Sequence, residues 1–121
     1  MSAVIEVRTY RSVPGGRARL MEALESRLNQ AHHELGMKVL GPFPSAEDEN
    51  VYVWLRAFPD AGSRETLKDS FYGSPLWLEE HEADLSPLIA DFESVLVEDT
   101  IDLWDRWPED LSGDQDRSGN G

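Results

Sequence analysis

The chain opens with a stretch from Val4 to Ser12 in which apolar and polar side chains alternate. A period of two over this length predicts a β-strand whose two faces carry different side chains. One face carries Ile5, Val7 and Thr9, and the other carries Val4, Glu6, Arg8 and Tyr10. The turn-forming residues Pro14-Gly15-Gly16 follow, so we expect the strand to end before them.

A helical period begins at Arg17. Apolar residues then recur every three or four positions and form one stripe, made of Leu20, Leu24, Leu28, Ala31 and Leu35. Charged residues fill most of the other positions, and Gly36 stands where a glycine commonly ends a helix. The pattern therefore predicts an amphipathic helix that begins at Arg17 and stops at Gly36.

Two strands are predicted after this helix. The short apolar run from Met37 to Phe43 indicates a second strand, and the polar segment from Pro44 to Asn50 indicates a turn. The run from Val51 to Phe58 is rich in aromatic and β-branched residues, which favours a third strand. Its faces carry Val51, Val53, Leu55 and Ala57 on one side and Tyr52, Trp54, Arg56 and Phe58 on the other.

The residue pattern after the third strand predicts an interrupted helix and a fourth strand. The helix is expected from about Arg64, and Pro75 breaks it because proline lacks the amide hydrogen that a helix needs. A second helical piece then runs through Trp77, His81, Leu85 and Leu88. The segment from Phe92 to Leu103 alternates again and indicates the fourth strand.

The resulting order, β-α-β-β-α-β with a split second helix, is typical of the α+β ferredoxin-like fold. One sheet face receives the helices, and a symmetric partner subunit would cover the other face. We expect one domain over residues 1–103 and an acidic, flexible tail over residues 104–121, which shows no period. For Trp104 and Trp107, at the start of this tail, packing on the partner subunit is favoured over capping a cavity.

Composition and charge limit which partners and which cellular compartment we expect. The 121 residues include 24 acidic and 11 basic side chains, for a net charge of −13. Because such a charge repels phosphate groups, we expect neither nucleic acid nor a membrane as a partner. The chain has no cysteine and no apolar run long enough to span a bilayer, and charges inside its first apolar run argue against a signal peptide. We therefore predict a cytoplasmic protein.

Three short motifs suggest a family. They are Glu6-Val7-Arg8-Thr9-Tyr10 with Pro14-Gly15, Trp54 with the later Phe58 and Arg64, and Ser74-Pro75-Leu76-Trp77. In this order and spacing, the chain resembles the NIPSNAP family over about residues 3 to 103. The resemblance implies a homodimer in which two chains form a dimeric α-β barrel. That superfamily also holds cofactor-free monooxygenases, haem-degrading enzymes, isomerases and binding proteins, so the fold does not fix the function.

A patch of polar and aromatic residues is predicted on one sheet face. If the first and third strands are neighbours, Glu6, Arg8 and Tyr10 lie beside Trp54 and Arg56. An arginine next to a glutamate could bind a carboxylate or an enolate, with a tyrosine as donor and a tryptophan as apolar wall. Alternatively, Glu6 and Arg8 form a salt-bridged network inside the dimer interface, because a lone buried charge is costly. Both interpretations stay open.

A second group of candidates consists of Tyr72, Trp77 and His81. Trp77 and His81 are four residues apart and would share one helix face. The resemblance implies a ligand cavity between the sheet and the helices, as in related barrels. Trp77 and His81 would line this cavity. His81 could then move a proton near neutral pH, whereas its acidic neighbours Glu80 and Glu82 favour a merely solvated histidine.

His32 lies beside the apolar stripe and would face the same cavity as a ligand-binding residue. Its neighbour His33 points about 100° away around the helix, so the two rings cannot readily hold one metal ion together. With three histidines and no cysteine in the chain, we predict no metal site. Haem binding through His32 or His81 is conceivable by analogy with the superfamily.

The leading hypothesis from the sequence is a homodimer that binds a small apolar or aromatic molecule between sheet and helices. The homodimer could be a cofactor-independent enzyme of the oxygenase or isomerase/cyclase type, with His81, Arg8 and Tyr10 as catalytic residues. Trp54, Arg56, Tyr72, Trp77, His32 and Glu6 are the corresponding ligand-binding candidates. One alternative is a non-catalytic dimer that serves interaction or regulation, and another is haem or metal binding.

Overall fold

The structure is a computed structural model that describes residues 2–108. Four antiparallel strands form one sheet in the order β2-β3-β1-β4. Their bounds are β1 Val4–Ser12, β2 Lys38–Pro44, β3 Val51–Phe58 and β4 Ile89–Glu98. Together with the two helical regions between them, this arrangement confirms the predicted ferredoxin-like α+β fold.

The first helical region is one run with a wider turn at its centre. It consists of α1 (Arg17–Ala23), a π-helical turn (Leu24–Leu28) and α2 (Asn29–Glu34). The predicted apolar stripe packs on the sheet through Leu20, Leu24 and Leu28, which are buried. Gly36 has φ +103°, a left-handed conformation that glycine adopts readily and that commonly ends a helix.

The second helical region is split near Pro75, as predicted. It consists of α3 (Arg64–Tyr72), a π-helical turn (Leu76–His81), α4 (Glu82–Leu85) and a final 3-10 turn (Ser86–Leu88). Phe71 and Leu85 from this region join the same core as the first helical region. Both regions therefore cover one face of the sheet, the face that carries Tyr10, Tyr52 and Trp54.

The fourth strand is the element whose predicted bounds are wrong. It covers Ile89–Glu98 rather than Phe92 to Leu103, so it begins three residues earlier and ends five residues earlier. The next residue, Asp99, accepts hydrogen bonds from the backbone N–H groups of Leu103 and Trp104, both at 2.8 Å. This side-chain cap turns the chain away from the sheet, although the residue pattern still alternates.

The outer face of the sheet, opposite the helices, is covered in part by the C-terminal segment. Trp107 is buried against Ile5 and Ala57, and its Nε1 donates to the Val39 carbonyl at 3.0 Å. The first residues of the predicted flexible tail, 104–107, thus pack on the chain's own sheet. The rest of that predicted tail, from residue 109 on, lies outside the described residues. At the β4 side of this face, Val95 remains 58% exposed.

Candidate functional site

The pairing of β1 with β3 builds a polar and aromatic face beneath the helices. Residues directly opposite each other are Glu6 and Arg56, Arg8 and Trp54, and Tyr10 and Tyr52, and all six are buried. The prediction that the first and third strands are neighbours is therefore confirmed. Glu6 forms a charged network with Arg8 and Arg56. This charged network lies between the sheet and the chain's own helices, because helices cover this face.

Glu6 is the anchor of the charged network. Its Oε1 accepts from Arg8 Nη1 and from Arg56 Nε, both at 2.9 Å. Its Oε2 accepts from Arg64 at 2.9 Å and lies 3.7 Å from Lys68 Nζ. Burial raises the pKa of Glu6, but Arg56 and Arg8 outweigh that effect and hold the pKa below its ordinary value. The carboxylate is thus charged and fully engaged, which suits it to positioning cations rather than to accepting a proton.

Each of two arginines is paired with a tyrosine hydroxyl. Arg8 donates to Tyr10 Oη through Nη2 at 2.8 Å, and Arg56 Nη1 donates to Tyr72 Oη at 3.0 Å. Burial raises the pKa of Tyr10 although Arg8 acts to lower it, so its hydroxyl keeps its proton. A hydroxyl that accepts from a guanidinium still has its own proton to donate. Tyr10 and Tyr72 can therefore both donate to a third group.

Arg56 carries an unused donor at the centre of this network. The residue is fully buried, yet its Nη2 has no hydrogen-bond partner among residues 2–108. An unpaired donor on a buried charged group costs free energy that a bound acceptor recovers. Arg56 lies in the wall of a cleft, so a ligand in that cleft could supply the acceptor for Nη2.

That cleft opens between the sheet and the second helical region and has a volume of about 570 Å³. Its cationic residues are Arg8, Arg56 and Lys68, and its aromatic residues include Tyr10, Tyr72, Trp77 and Phe92. Asp91 is the one carboxylate in the described wall. In a chain with a net charge of −13, this local excess of positive charge makes the cleft distinct from the rest of the molecule.

A smaller cavity of about 50 Å³ lies next to the cleft and shares Tyr10, Tyr72, Trp77 and Ile89 with it. Its other walls are apolar and aromatic and come from both helical regions and from β3: Leu20, Leu24, Leu28, His32, Tyr52, Trp54, Phe71 and Leu85. We call the larger space the cleft and the smaller one the inner cavity. The shared residues form a common wall between the inner cavity and the cleft.

The sequence comparison identifies the group of proteins to which this architecture belongs. The family model described as NIPSNAP matches residues 5–100. The chain belongs to the NIPSNAP family. This confirms the resemblance seen in the three short motifs, and the match covers both strands that carry the charged network. No curated protein sequence matches the chain significantly.

Solved structures of two NIPSNAP proteins and of one other bacterial protein share the fold. A NIPSNAP-like domain protein from Burkholderia xenovorans is 18% identical, covers 79% of this chain and 84% of its own, and has a TM-score of 0.69. A NIPSNAP protein of unknown function from Agrobacterium tumefaciens is 21% identical, covers 80% and 87%, and has a TM-score of 0.70. A Bacteroides thetaiotaomicron protein described as a possible oxidoreductase is 13% identical, covers 80% and 97%, and has a TM-score of 0.60. At these identities the comparisons establish the fold alone.

In this NIPSNAP domain, His32 is a fixed structural acceptor. Its Nδ1 lies 2.8 Å from the Leu28 carbonyl and donates to it, so Nε2 is free to accept from Arg56 Nη1 at 3.2 Å. The ring also stacks on Phe71, with 4.0 Å between the ring centroids. Burial, together with the charge of Arg56, lowers the pKa of His32 to about 3. His32 lines the inner cavity as a neutral ring that orients Arg56.

His81 is not brought to the site. Trp77 and His81 both lie in the π-helical turn Leu76–His81, rather than in the regular α-helix that the prediction assumed. Trp77 lines the cleft and the inner cavity, whereas the buried His81 lines neither. The His81 Nδ1 lies 3.1 Å from the Leu76 carbonyl. Proton transfer by His81 therefore has no geometric support.

Two site residues, Arg64 and Lys68, went unassigned by the sequence reasoning. They lie with Tyr72 at intervals of four on α3, and this spacing aligns the three on one helix face. A search for cations that share a helix face with a candidate tyrosine would have found them. Residues 2–108 contain no group of three or more metal-binding side chains, and no helix there is long and apolar enough to cross a membrane.

Proposed function

We propose that this NIPSNAP domain binds a small organic anion, with a carboxylate or an enolate as its head group, in the cleft. The observation that carries the proposal is Arg56 Nη2, a fully buried cationic donor with no partner among the described residues. A guanidinium presents its donors in a planar fork that suits the two oxygens of a carboxylate. The head group would accept from this donor and complete its hydrogen bonding.

Further donors surround the same point. Tyr10 and Tyr72 each accept from an arginine and keep a proton to donate, and Lys68 adds a cation in the cleft wall. The fixed carboxylate of Glu6 holds the arginines in place before any ligand arrives. Because these donors are oriented in advance, an anion would not have to order them on binding.

The size and walls of the cleft define the rest of the ligand. A volume of about 570 Å³ lies within the usual range of roughly 300–1,000 Å³ for small-molecule sites. Trp77, Phe92 and Ile89 supply apolar surface beside the cations. The proposed ligand is therefore amphipathic, with one anionic end and an apolar or aromatic body, and the donor set requires no cofactor.

The contacts around each candidate base support a binding role better than catalysis. Glu6 is held by three arginines, His32 by Arg56 and by a backbone carbonyl, and His81 lies outside the cleft. The same oxyanion donors would stabilise an enolate formed when a solvent hydroxide ion takes the proton next to a substrate carbonyl and becomes water. An isomerase or oxygenase activity without a cofactor is therefore the second candidate.

We also propose that the domain is a homodimer, with the outer sheet face as its interface. Apolar residues of β4 that point to this face are exposed, with Val95 at 58% and Val97 at 39%. They pair with Val7 and Ile5 of β1; Val7 is half-buried, whereas Ile5 is buried against Trp107. An apolar sheet face of this kind is stabilised when a second copy covers it.

The binding proposal can be tested by isothermal titration calorimetry with benzoate and its neutral analogue benzamide. We expect benzoate to bind and benzamide to bind at least tenfold more weakly, because the amide lacks the charge. Lys68→Gln should weaken benzoate binding about threefold to tenfold, and Tyr72→Phe should do the same. Arg27→Gln removes one positive charge from an exposed ion pair with Glu80 and is the matched control. Equal affinity for benzoate and benzamide would contradict the proposal.

A further inference from the structure

The inner cavity contains a second buried donor without a partner. Trp54 lines this cavity and is 4% exposed, and its Nε1–H has no acceptor among residues 2–108. A buried indole N–H normally finds a partner. This donor is separate from Arg56 Nη2, and an acceptor on a ligand in the inner cavity would satisfy it.

The indole lies close to two arginines of the charged network. Arg56 Cζ is 5.3 Å from the Trp54 ring centroid and Arg8 Cζ is 5.5 Å from it. Because Arg56 and Trp54 are so close, a short ligand with its head group at Arg56 can bring an acceptor to Trp54. Tyr10 and Tyr72, which border both spaces, stand where such a ligand would pass from the cleft into the inner cavity.

The size of the inner cavity limits what can enter. It measures about 50 Å³, whereas a cavity known to bind benzene measures about 150 Å³. The walls supplied by Leu20, Leu24 and Leu28 are aliphatic. A narrow alkyl chain fits this space and an aromatic ring does not, so a ring would have to stay in the cleft.

Two π-helical turns help to build the inner cavity. Leu24 and Leu28 lie at the ends of the turn Leu24–Leu28, and Trp77 lies in the turn Leu76–His81. Such turns insert an extra residue into a helix and occur frequently at functional sites. Here they place side chains from both helical regions around one space, although a regular helix would be the more stable local structure.

We infer that the inner cavity is a chain-end subsite for short aliphatic oxo acids. The carboxylate stays at Arg56 in the cleft, the narrow chain enters the inner cavity, and the oxo oxygen accepts from Trp54 Nε1. The inference rests on the proposed anion site and adds the identity of the apolar part of the ligand. It names unbranched carboxylic acids of about four to six carbons with a carbonyl near the carboxylate.

The unmodified protein provides the first test, by calorimetric titration with acetate, butanoate, 3-oxobutanoate, pentanoate and 4-oxopentanoate. Butanoate should bind about tenfold more tightly than acetate, because two more methylenes leave water. At least one oxo acid should bind about fivefold more tightly than its parent acid, because it satisfies the indole N–H. Equal affinities along the whole series would overturn the subsite while leaving the anion site standing. Absence of binding by every carboxylate would overturn both.

Two variants separate the inner cavity from the cleft. Leu24 lines only the inner cavity and Lys68 lines only the cleft. Leu24→Phe should abolish the gain in affinity from acetate to butanoate and leave the affinity for acetate unchanged. Lys68→Gln should lower the affinity for both acids by the same factor. Trp54→Phe should remove the preference for the oxo acid and keep the gain from chain length. If Leu24→Phe lowers the affinity for acetate and for butanoate by the same factor, the subsite is contradicted.

Leu24→Ala provides a second route if the phenylalanine variant does not fold. It enlarges the inner cavity, so hexanoate should gain affinity relative to butanoate in this variant. Circular dichroism melting of each variant establishes that the folded protein is being titrated. A hexanoate-to-butanoate ratio that Leu24→Ala leaves unchanged would count against the subsite.

Discussion

Arg56 Nε donates to Glu6 Oε1 at 2.9 Å across two neighbouring strands, and both side chains are fully buried. The register of β1 and β3 places these residues directly opposite each other. One carboxylate thus fixes one arginine from each strand, since Arg8 binds the same oxygen. The pairing makes the centre of the sheet polar, although small domains commonly fill this position with apolar side chains.

Removal of the Glu6 charge should destabilise the fold strongly. Glu6→Gln leaves Arg8 and Arg56 buried without a counterion, and breaking such a pair costs about 3–5 kcal/mol of unfolding free energy. Urea unfolding at pH 7 measures this loss. Asp48→Asn breaks the exposed ion pair between Arg11 and Asp48 and should change stability little. Equal, small effects of both substitutions would show that the buried network does not stabilise the domain.

Stability should fall as the pH is lowered from about 6.5. The pKa of His32 is about 3 in the folded protein and near 6.5 in an unfolded chain, so the unfolded state binds more protons between these values. The free energy of unfolding should therefore decrease by up to about 1.4 kcal/mol per pH unit below pH 6.5. The lowered pKa of Glu6 adds to this loss below about pH 4.5.

Urea unfolding at pH 7, 6 and 5 tests the contribution of His32. His32→Gln keeps a side-chain acceptor for Arg56 and should flatten the pH dependence over this range. His33→Gln changes the neighbouring, half-buried histidine and should leave the dependence in place. A His32→Gln protein with the same slope as the unmodified protein would show that another group causes the acid loss.

The C-terminal tryptophan should stabilise the domain from the outside of the sheet. Trp107→Ala removes a buried ring and its hydrogen bond to Val39, and truncation of a buried aromatic residue costs about 3–5 kcal/mol. Thermal and urea unfolding measure this change. Trp104→Ala is the control, because Trp104 is only half-buried, and it should cost clearly less. Equal stabilities of the two variants would contradict a specific role for Trp107.

The proposed dimer should depend on the outer face of β4. Val95→Lys puts a charge on the exposed apolar surface, so it should convert the dimer to a monomer in light scattering. Leu78→Lys introduces the same charge at an apolar helical residue that is 50% exposed, and it should leave the dimer intact. A protein that is monomeric at micromolar concentration before any substitution would overturn the proposal at once.

Much of the fold could be predicted because it follows from local patterns. The alternation in Val4–Ser12 and Val51–Phe58, the leucine stripe from Leu20 and the break at Pro75 all depend on residues close in the chain. The predicted end of β4 was wrong because Asp99 caps a turn through its side chain, and alternation alone does not reveal such a cap. The two π-helical turns were missed for a similar reason, since their residues fit an ordinary helical stripe.

The sequence by itself determined the order of the elements, the family and the set of residues on the polar face of β1 and β3. Tertiary structure decided what those residues do. It turned their face toward the helices, added Lys68 to the cleft, fixed His32 as an acceptor for Arg56 and left His81 outside the cleft. Periodicity records which face a residue occupies, but partners, burial and an unpaired donor such as Arg56 Nη2 depend on residues distant in the chain.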